Sequence, residues 1–291
     1  MPNEPIRQHW VPKVYLRAFC SDPAEQEQIH VRDAASGTNF VTSLDRVAVK
    51  KHFYTLSLGT EDQSYAVEEA HSKIESGVSS VLEAIRADQQ LPTDPSAMSI
   101  LCRFVATLHM RTRQGLKMIH GHREEVRARA GGQASNSAHA RRFESDLIEY
   151  DDEEMRELFA KASVVVGERI ATMLQSMHWR LLRATDSYFI TSENPVYSYH
   201  PTEARWGIGT PGAFTLFPVS PSLLIHLSNE ALIPGTGVTD VPPQGVRGLN
   251  GLTLLAAEQF IFSHRPLSEV SDLFEERQAG RGRAFGPVGG T

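Results

Sequence analysis

The spacing of apolar residues changes along the chain and divides it into three parts. In the first part, short runs alternate apolar and polar residues on either side of a Ser-Gly turn, which predicts a β-hairpin over residues 29–42. A further short strand is predicted over 52–55. Upstream of the hairpin, Pro12 is suited to the first turn of a short helix that ends before Asp22-Pro23. The N-terminal part is therefore predicted to mix short helical and strand elements.

In the middle part, apolar residues recur every three or four positions, which is the period of an amphipathic helix. This period predicts one helix over residues 64–87, a second that begins near residues 94–96 and a third over 152–177. Between the second and third helices, the Gly- and Ser-containing segment 131–137 is predicted to be a mobile loop.

The last part returns to alternating residues and predicts four strands and a helix near 249–257. The four strands are predicted over 179–183, 188–191, 223–227 and 259–262. Strands at both ends around a helical middle favour an α+β fold, with a central bundle of about three long helices packed against a mostly antiparallel sheet built from N- and C-terminal segments. We predict a single domain over residues 1–277 and a flexible Gly- and Arg-rich tail over 278–291.

Composition limits the class of protein. The 291 residues are 41% hydrophobic and 22% charged, as in ordinary globular proteins. Cys20 and Cys102 follow no CxxC spacing, so we expect them to be small core residues in a reducing compartment. No secretory signal opens the chain, and no apolar stretch approaches the ~20 residues that span a bilayer. We therefore predict a cytoplasmic protein without a membrane segment.

Charge gives no general attraction to nucleic acid, because the net charge is −6. It is unevenly distributed, however: residues 111–142 are rich in Arg, and residues 144–157 are acidic. We expect these neighbouring runs to neutralise each other across a helical hairpin.

Two charged or titratable residues stand out by position. The spacing of the second helix places Arg111 on its apolar face, where a guanidinium needs a carboxylate or a ligand phosphate. Glu75 and Glu193 are candidate internal partners, and a buried structural ion pair is the alternative to a ligand site. His9 precedes the turn at Pro12, where it can act as an acid or base near neutral pH, or else cap the helix.

The turn after the predicted strand 188–191 carries a second set of candidates. Glu193 and Asn194 lie before Pro195 and are either catalytic groups on a loop or parts of an Asx-type turn. The spacing Glu68-x-x-His71 occurs in di-iron bundles, but a single copy favours a solvated helix face. The sequence contains no HExxH, P-loop, GxSxG or GxGxxG motif, so a standard nucleotide-binding fold is not expected.

A family resemblance adds to these observations. Residues 9–19, HWVPKVYLRAF, resemble the opening signature of the bacterial family catalogued as domain of unknown function 4238, and four later stretches are similar in order. Those stretches are residues 52–54, 111–113, 191–196 and 217–221. Two positions depart from the family pattern: Lys13 stands where Gln is common, and Glu193 where Asp is usual. The resemblance supports the fold and the candidate residues and implies no reaction.

These observations lead to two functional hypotheses. The first is a hydrolase or transferase that acts on a phosphate-containing substrate, either a nucleotide or a nucleic acid. Its catalytic candidates are His9, Glu75, Arg111, Glu193 and Asn194, and its substrate-binding candidates are Tyr15, Lys13, Tyr54 and Arg113. A divalent cation fits several carboxylates and an imidazole, but no spacing requires one, and no residue is assigned as a metal ligand. The second is a non-catalytic effector module that binds nucleic acid or protein; a scaffold in which these residues serve only the fold is a third, simpler alternative.

Overall fold

The structure is a computed structural model, and it describes residues 7–22, 27–57, 63–129, 147, 149–202, 207–231 and 237–278. The segment 131–137 and the tail from residue 279 onward, for which a mobile loop and a flexible tail are predicted, lie outside these residues.

Helices occupy the middle of the chain and recur near its C-terminal end. The described helices are α1 Lys13–Leu16, α2 Ala66–Asp88, α3 Pro95–Met110, α4 Arg113–Arg129, α5 Asp152–Leu174, α6 Pro243–Ala256 and α7 Ser271–Gln278. Local sequence sets the ends of several: the Asp94 side chain caps α3, and Asp151 and Glu154 form a capping box at the start of α5. The predicted helices at 64–87, 94–108 and 152–177 correspond to α2, α3 and α5.

Strands from the two ends of the chain form the sheets. They are β1 Arg7–His9, β2 Gln28–Asp33, β3 Asn39–Ser43, β4 Val49–Lys51, β5 Leu56–Ser57, β6 Gln63–Ser64, β7 His178–Ala184, β8 Thr191–Ser192, β9 Tyr197–Tyr199, β10 Phe214–Ser220, β11 Leu223–Ser228, β12 Val238–Val241 and β13 Phe260–Ser263. One sheet has the order β12-β7-β11-β10-β9, and another has the order β3-β2-β13-β8; β1 pairs with β4 and β5 with β6. These described pairs are antiparallel except β12 with β7.

The core lies between the helices and the sheets. Helix α3 packs against both α2 and α5, and the largest apolar cluster joins these helices to α1 and to residues of β10 and β11. Tyr15 of α1 stacks on Phe217 of β10, with ring centroids 5.3 Å apart. The four-stranded sheet combines β2 and β3 with β8 and β13, so the predicted α+β fold, with central helices and strands from both ends, is confirmed.

Several predicted elements are wrong or incomplete. Residues 52–55 are not a strand: His52 has a left-handed φ of 52°, and the chain turns there between β4 and β5. The strand predicted over 188–191 is present only as β8. Strand β10 was not predicted because it contains Pro218, whose neighbourhood is marked by a register shift in the pairing with β11. Helix α4 was predicted only as the basic side of a helical hairpin, without bounds, because its sequence is strongly polar and charged.

None of the described helices combines the length and apolar character needed to cross a bilayer.

Candidate functional site

Arg111 is the centre of a polar group built from distant parts of the chain. It follows the last residue of α3, and only 2% of its surface is exposed. Its Nη1 forms an ion pair with Glu75 Oε1 at 2.5 Å, its Nη2 donates to the carbonyl oxygen of His9, and its Nε donates to the Tyr54 hydroxyl at 3.4 Å. The Tyr54 hydroxyl in turn donates to the carbonyl of Arg111 at 2.6 Å. We call His9, Tyr54, Glu75 and Arg111 the Arg111 cluster.

Four elements bring these residues together. The pairing of β1 with β4 places His9 opposite Val49, and Tyr54 lies on the segment that connects β4 to β5. Glu75 extends from the middle of α2, and the end of α3 carries Arg111 into the same space. The prediction that Arg111 pairs with an internal carboxylate is confirmed, and that carboxylate is Glu75.

The cluster keeps its central guanidinium charged. Burial lowers the pKa of Arg111, but the Tyr54 hydroxyl and the Glu75 carboxylate more than offset this effect, and the net direction is upward. The Nε, Nη1 and Nη2 atoms of the guanidinium each donate to a protein acceptor, and the side chain is buried. Arg111 therefore organises the groups around it rather than presenting a vacant donor fork to solvent.

The imidazole of His9 is oriented by the main chain. Its Nε2 lies 3.1 Å from the carbonyl oxygen of Leu44, which can only accept, so Nε2 carries the hydrogen and Nδ1 keeps its lone pair. Burial lowers the pKa of His9, and the bond to Leu44 opposes this effect in part. The alternative in which His9 caps the first helix is wrong, because Pro12 is at the cap of α1 and no side chain caps it.

Lys13 lies beside His9 at the more exposed edge of the cluster. It forms an ion pair with Asp45, in which both side chains are more than a third exposed. Lys13, Glu75 and Asp45 all act electrostatically on the His9 imidazole. The neighbourhood of His9 therefore combines one neutral base with both signs of charge.

The same face of α2 carries two more titratable residues. Glu68 and His71 precede Glu75 by seven and four residues, and His71 is only 1% exposed. The prediction that the Glu68-x-x-His71 spacing marks a solvated face is therefore wrong for His71. The signal was present in the sequence, because position 71 lies four residues after Val67 and three before Ile74, on the apolar stripe of the helix.

Tyr15 lies in the apolar core rather than in the Arg111 cluster. It is fully buried, and its hydroxyl lies 2.6 Å from Thr191 Oγ1. Burial raises the pKa of Tyr15 far above its ordinary value. This contact joins α1 to β8 across the middle of the protein.

Glu193 and Asn194 form a separate group with the turn after α6. Glu193 accepts hydrogen bonds from three backbone N–H groups, of Glu258, Gln259 and Phe260, at 2.5–2.7 Å. Burial raises the pKa of Glu193, and these N–H groups oppose that effect. The amide of Asn194 donates to the carbonyl of Ala256. Neither residue has a described hydrogen bond or ion pair to the Arg111 cluster, so the proposed pairing of Glu193 with Arg111 is wrong.

The basic segment is neutralised where the structure describes it. Lys117 pairs with Glu258 at 2.7 Å, Arg127 with Glu124 at 2.9 Å, and Arg123 of α4 lies 3.6 Å from Asp152 of α5. The Arg123 contact is the expected cancellation across a helical hairpin. The side chain of Arg113 and residues 130–142 lie outside the described part of the chain.

The described residues give no metal centre, and the described cavity lies away from the candidate residues. Among the residues that the structure describes, no three His, Cys, Asp or Glu side chains are grouped to hold a metal ion. A cavity of about 140 Å³ lies elsewhere, between the hairpin β2–β3 and residues 266–268. None of the candidate site residues lines it.

Comparisons with known proteins give a family but no activity. A family model with the description "Protein of unknown function (DUF4238)" matches residues 7–266. No curated protein and no solved structure matches the chain.

Proposed function

Because the chain belongs to the DUF4238 family, whose description names no activity, we propose from the geometry that the Arg111 cluster is the acid–base centre of a hydrolase or transferase that breaks a phosphate ester. The substrate class is a nucleotide or a nucleic acid. One observation carries this proposal: the partly exposed, oriented His9 is bound through its main-chain carbonyl to the Glu75–Arg111 ion pair, and these three residues come from separate segments.

His9 is the general base in this proposal. A base must be neutral at the working pH and must present a lone pair to the proton that it removes. The lowered pKa of His9 supplies the neutral form, and the bond from Nε2 to Leu44 leaves Nδ1 as the acceptor. Arg111 holds the His9 backbone through its carbonyl oxygen, so Arg111 and Glu75 act as positioning residues.

Lys13 is the group that meets the phosphate. An ion pair as exposed as Lys13–Asp45 contributes only about 0–1 kcal/mol, so a phosphate oxygen can replace the carboxylate at little cost. Arg111 is less suited to this part, because it is only 2% exposed and already donates to Glu75, His9 and Tyr54. Arg113 remains a predicted substrate contact.

Glu193, Asn194 and Tyr15 support the fold in this proposal. Glu193 and Asn194 each bind main-chain groups in the segment 256–260, and Tyr15 binds Thr191 in the core. These contacts lie at β8 and β13, and none of the three side chains has a described hydrogen bond to His9. We therefore expect substitutions at these three positions to act through stability.

A matched pair of histidine variants tests the proposal. The purified protein is assayed on phosphomonoesters, phosphodiesters, nucleotides and single-stranded RNA and DNA, with and without Mg²⁺ or Mn²⁺. His9→Gln keeps a donor for Leu44 but removes the base, and it should lower kcat about 100-fold or more with little change in stability. His178→Gln, at an exposed position of β7, should behave as the wild type. Absence of turnover of every phosphate ester, or full turnover by His9→Gln, contradicts the proposal.

One observation favours a protein-binding alternative. β3 is the edge strand of its sheet, and its Phe40 and Val41 are 40% and 48% exposed beside the small cavity. An exposed apolar edge strand can pair with an extended segment of another protein. Peptides that are selected for binding to the wild type should then fail to bind the double variant Phe40→Ser/Val41→Lys. Equal binding to both proteins argues against this alternative. The paired charges of α4 give no such support for a nucleic-acid-binding module.

A further inference from the structure

The surroundings of the Arg111 cluster contain one more carboxyl group, that of Glu68, than the charge of the guanidinium requires. Glu75 neutralises Arg111 directly at 2.5 Å. Glu68 lies two helical turns earlier on the same face of α2, where both Arg111 and Glu75 act on it electrostatically. The Oε2 atom of Glu68 is buried, and no described residue makes a hydrogen bond to it. A second, unpaired carboxylate at this place is unfavourable.

The neighbouring His71 has a buried acceptor without a donor. Ser163 Oγ donates to the carbonyl of Ala160 at 2.7 Å, so it accepts from His71 Nε2 at 3.0 Å. The imidazole therefore carries its hydrogen on Nε2 and a lone pair on Nδ1. This Nδ1 is buried and has no hydrogen-bond partner among the described residues.

These two atoms are complementary. Residues at i and i+3 of a helix are neighbours on its surface, with Cβ atoms about 5–6 Å apart. A protonated Glu68 supplies an O–H donor, and His71 Nδ1 is the acceptor that it lacks. A buried polar atom left unpaired is unfavourable. The two atoms are not bonded to each other directly, and one bridging water that accepts from the Glu68 O–H and donates to His71 Nδ1 satisfies both.

We propose that Glu68 is a protonated carboxylic acid in the resting protein, held by His71, and that it is the proton donor of the site. The donor role rests on the proposed phosphate-ester chemistry, whereas the protonation state does not. Glu68 is the catalytic residue in this proposal, and His71 is a positioning residue.

The reaction then balances. His9 takes a proton from the attacking water, or from an acceptor hydroxyl in a transferase, as its oxygen bonds to phosphorus. Glu68 gives its proton to the leaving oxygen as the old P–O bond breaks. The site is left with His9 as imidazolium and Glu68 as carboxylate, and one proton returns from His9 to Glu68 through solvent. In hydrolysis, the net reaction consumes one water.

The electrostatic setting agrees with this assignment. Burial raises the pKa of Glu68, and Arg111 opposes this effect only in part. Burial and the charge of Arg111 both hold the pKa of His71 well below its ordinary value, so the imidazole stays neutral and can accept. Tyr54 packs edge-on against the His71 ring, with centroids 4.7 Å apart, and restricts its rotation.

Infrared spectroscopy tests the protonation state without any substrate. The wild type should show a protonated carboxyl band at neutral pH that Glu68→Gln removes, whereas Glu69→Gln, at the exposed neighbouring position, should leave it unchanged. His71→Phe removes the acceptor and should move the band to the frequency of a more weakly hydrogen-bonded acid. A wild-type spectrum identical to that of Glu68→Gln in this region overturns the proposal, whatever the activity.

Leaving-group dependence tests the donor role. An alkyl phosphate needs a proton on its leaving oxygen, and an aryl phosphate with an acidic phenol does not. Glu68→Gln should therefore lower kcat about 100-fold or more on the alkyl ester and less than about tenfold on the aryl ester. Equal losses on both esters overturn the donor role. If the wild type turns over neither ester, the proposed function fails together with the donor role, and the infrared result alone decides the protonation state.

Discussion

Replacing Arg111 with Met separates the energetic role of the ion pair from the chemistry around it. The substitution keeps a flexible, unbranched apolar stem, although a shorter one, and removes all three donors, to Glu75, to the His9 carbonyl and to the Tyr54 hydroxyl. Loss of one member of a buried ion pair costs about 3–5 kcal/mol. Because the Glu75 side chain is 27% exposed, water can solvate the carboxylate that remains, so we expect the lower end, about 3 kcal/mol.

Removing the carboxylate of the ion pair instead of the guanidinium should cost more stability. Glu75→Gln leaves the guanidinium charged, and Arg111 is only 2% exposed, so water cannot replace the lost carboxylate. We expect about 4–5 kcal/mol for this variant. Changing both residues to Met should cost less than the sum of the single changes, because no buried charge is then left alone.

Equilibrium unfolding in urea measures these differences. The matched control is Arg183→Met, which breaks an ion pair with Asp240 that is exposed on both sides and should therefore change the stability little. An Arg111→Met variant no less stable than Arg183→Met refutes the reasoning. So does a double variant whose loss equals the sum of the two single losses.

Two further predictions concern other parts of the fold. Burial lowers the pKa of His226 to about 4 from an ordinary value of 6.5, so its contribution to stability is complete above about pH 6.5 and is lost as the pH falls toward 4. The stability lost is about 3 kcal/mol. In urea unfolding, His226→Gln should therefore lose about 3 kcal/mol less than the wild type when the pH is lowered from about 7 to about 4. An equal loss in the two proteins contradicts this assignment. A Cβ on Gly115 would lie 2.2 Å from the carbonyl oxygen of Met110, whereas one on Gly121 of the same helix meets nothing within 4 Å. Gly115→Ala should therefore destabilise the protein by about 2 kcal/mol or more, and Gly121→Ala should stabilise it by up to about 1 kcal/mol; similar unfolding midpoints for the two variants contradict the clash.

The sequence predicts helices better than strands here, for a physical reason. α2, α3 and α5 each bury one face along many residues, so their apolar period is long enough to recognise. The strands are short, and several are buried on both sides, so they lack alternation. In β11, for example, each residue from Leu223 to Ser228 is buried.

Local patterns also limit the prediction of the site. The Glu75–Arg111 pair was predictable because a charged residue on an apolar helix face requires a partner. The contact between Arg111 and the His9 carbonyl joins residues 102 positions apart, and a main-chain acceptor has no signal in the sequence. The predicted pairing of Glu193 with Arg111 was wrong for the same reason: the three donors to Glu193 are backbone N–H groups.

The opening segment joins two groups of residues that the family resemblance alone does not distinguish. His9, with Tyr54 and Arg111, lies in the Arg111 cluster, and Tyr15 lies between Thr191 and Phe217 in the apolar core. One stretch of eleven residues, 9–19, therefore contributes both to the proposed chemistry and to the contact between α1 and the sheets. Changes at Tyr15 should act on folding through the core, and changes at the His9 ring should act on proton transfer with the core intact. A residue in such a segment can be assigned to catalysis only when its effect on activity exceeds its effect on stability.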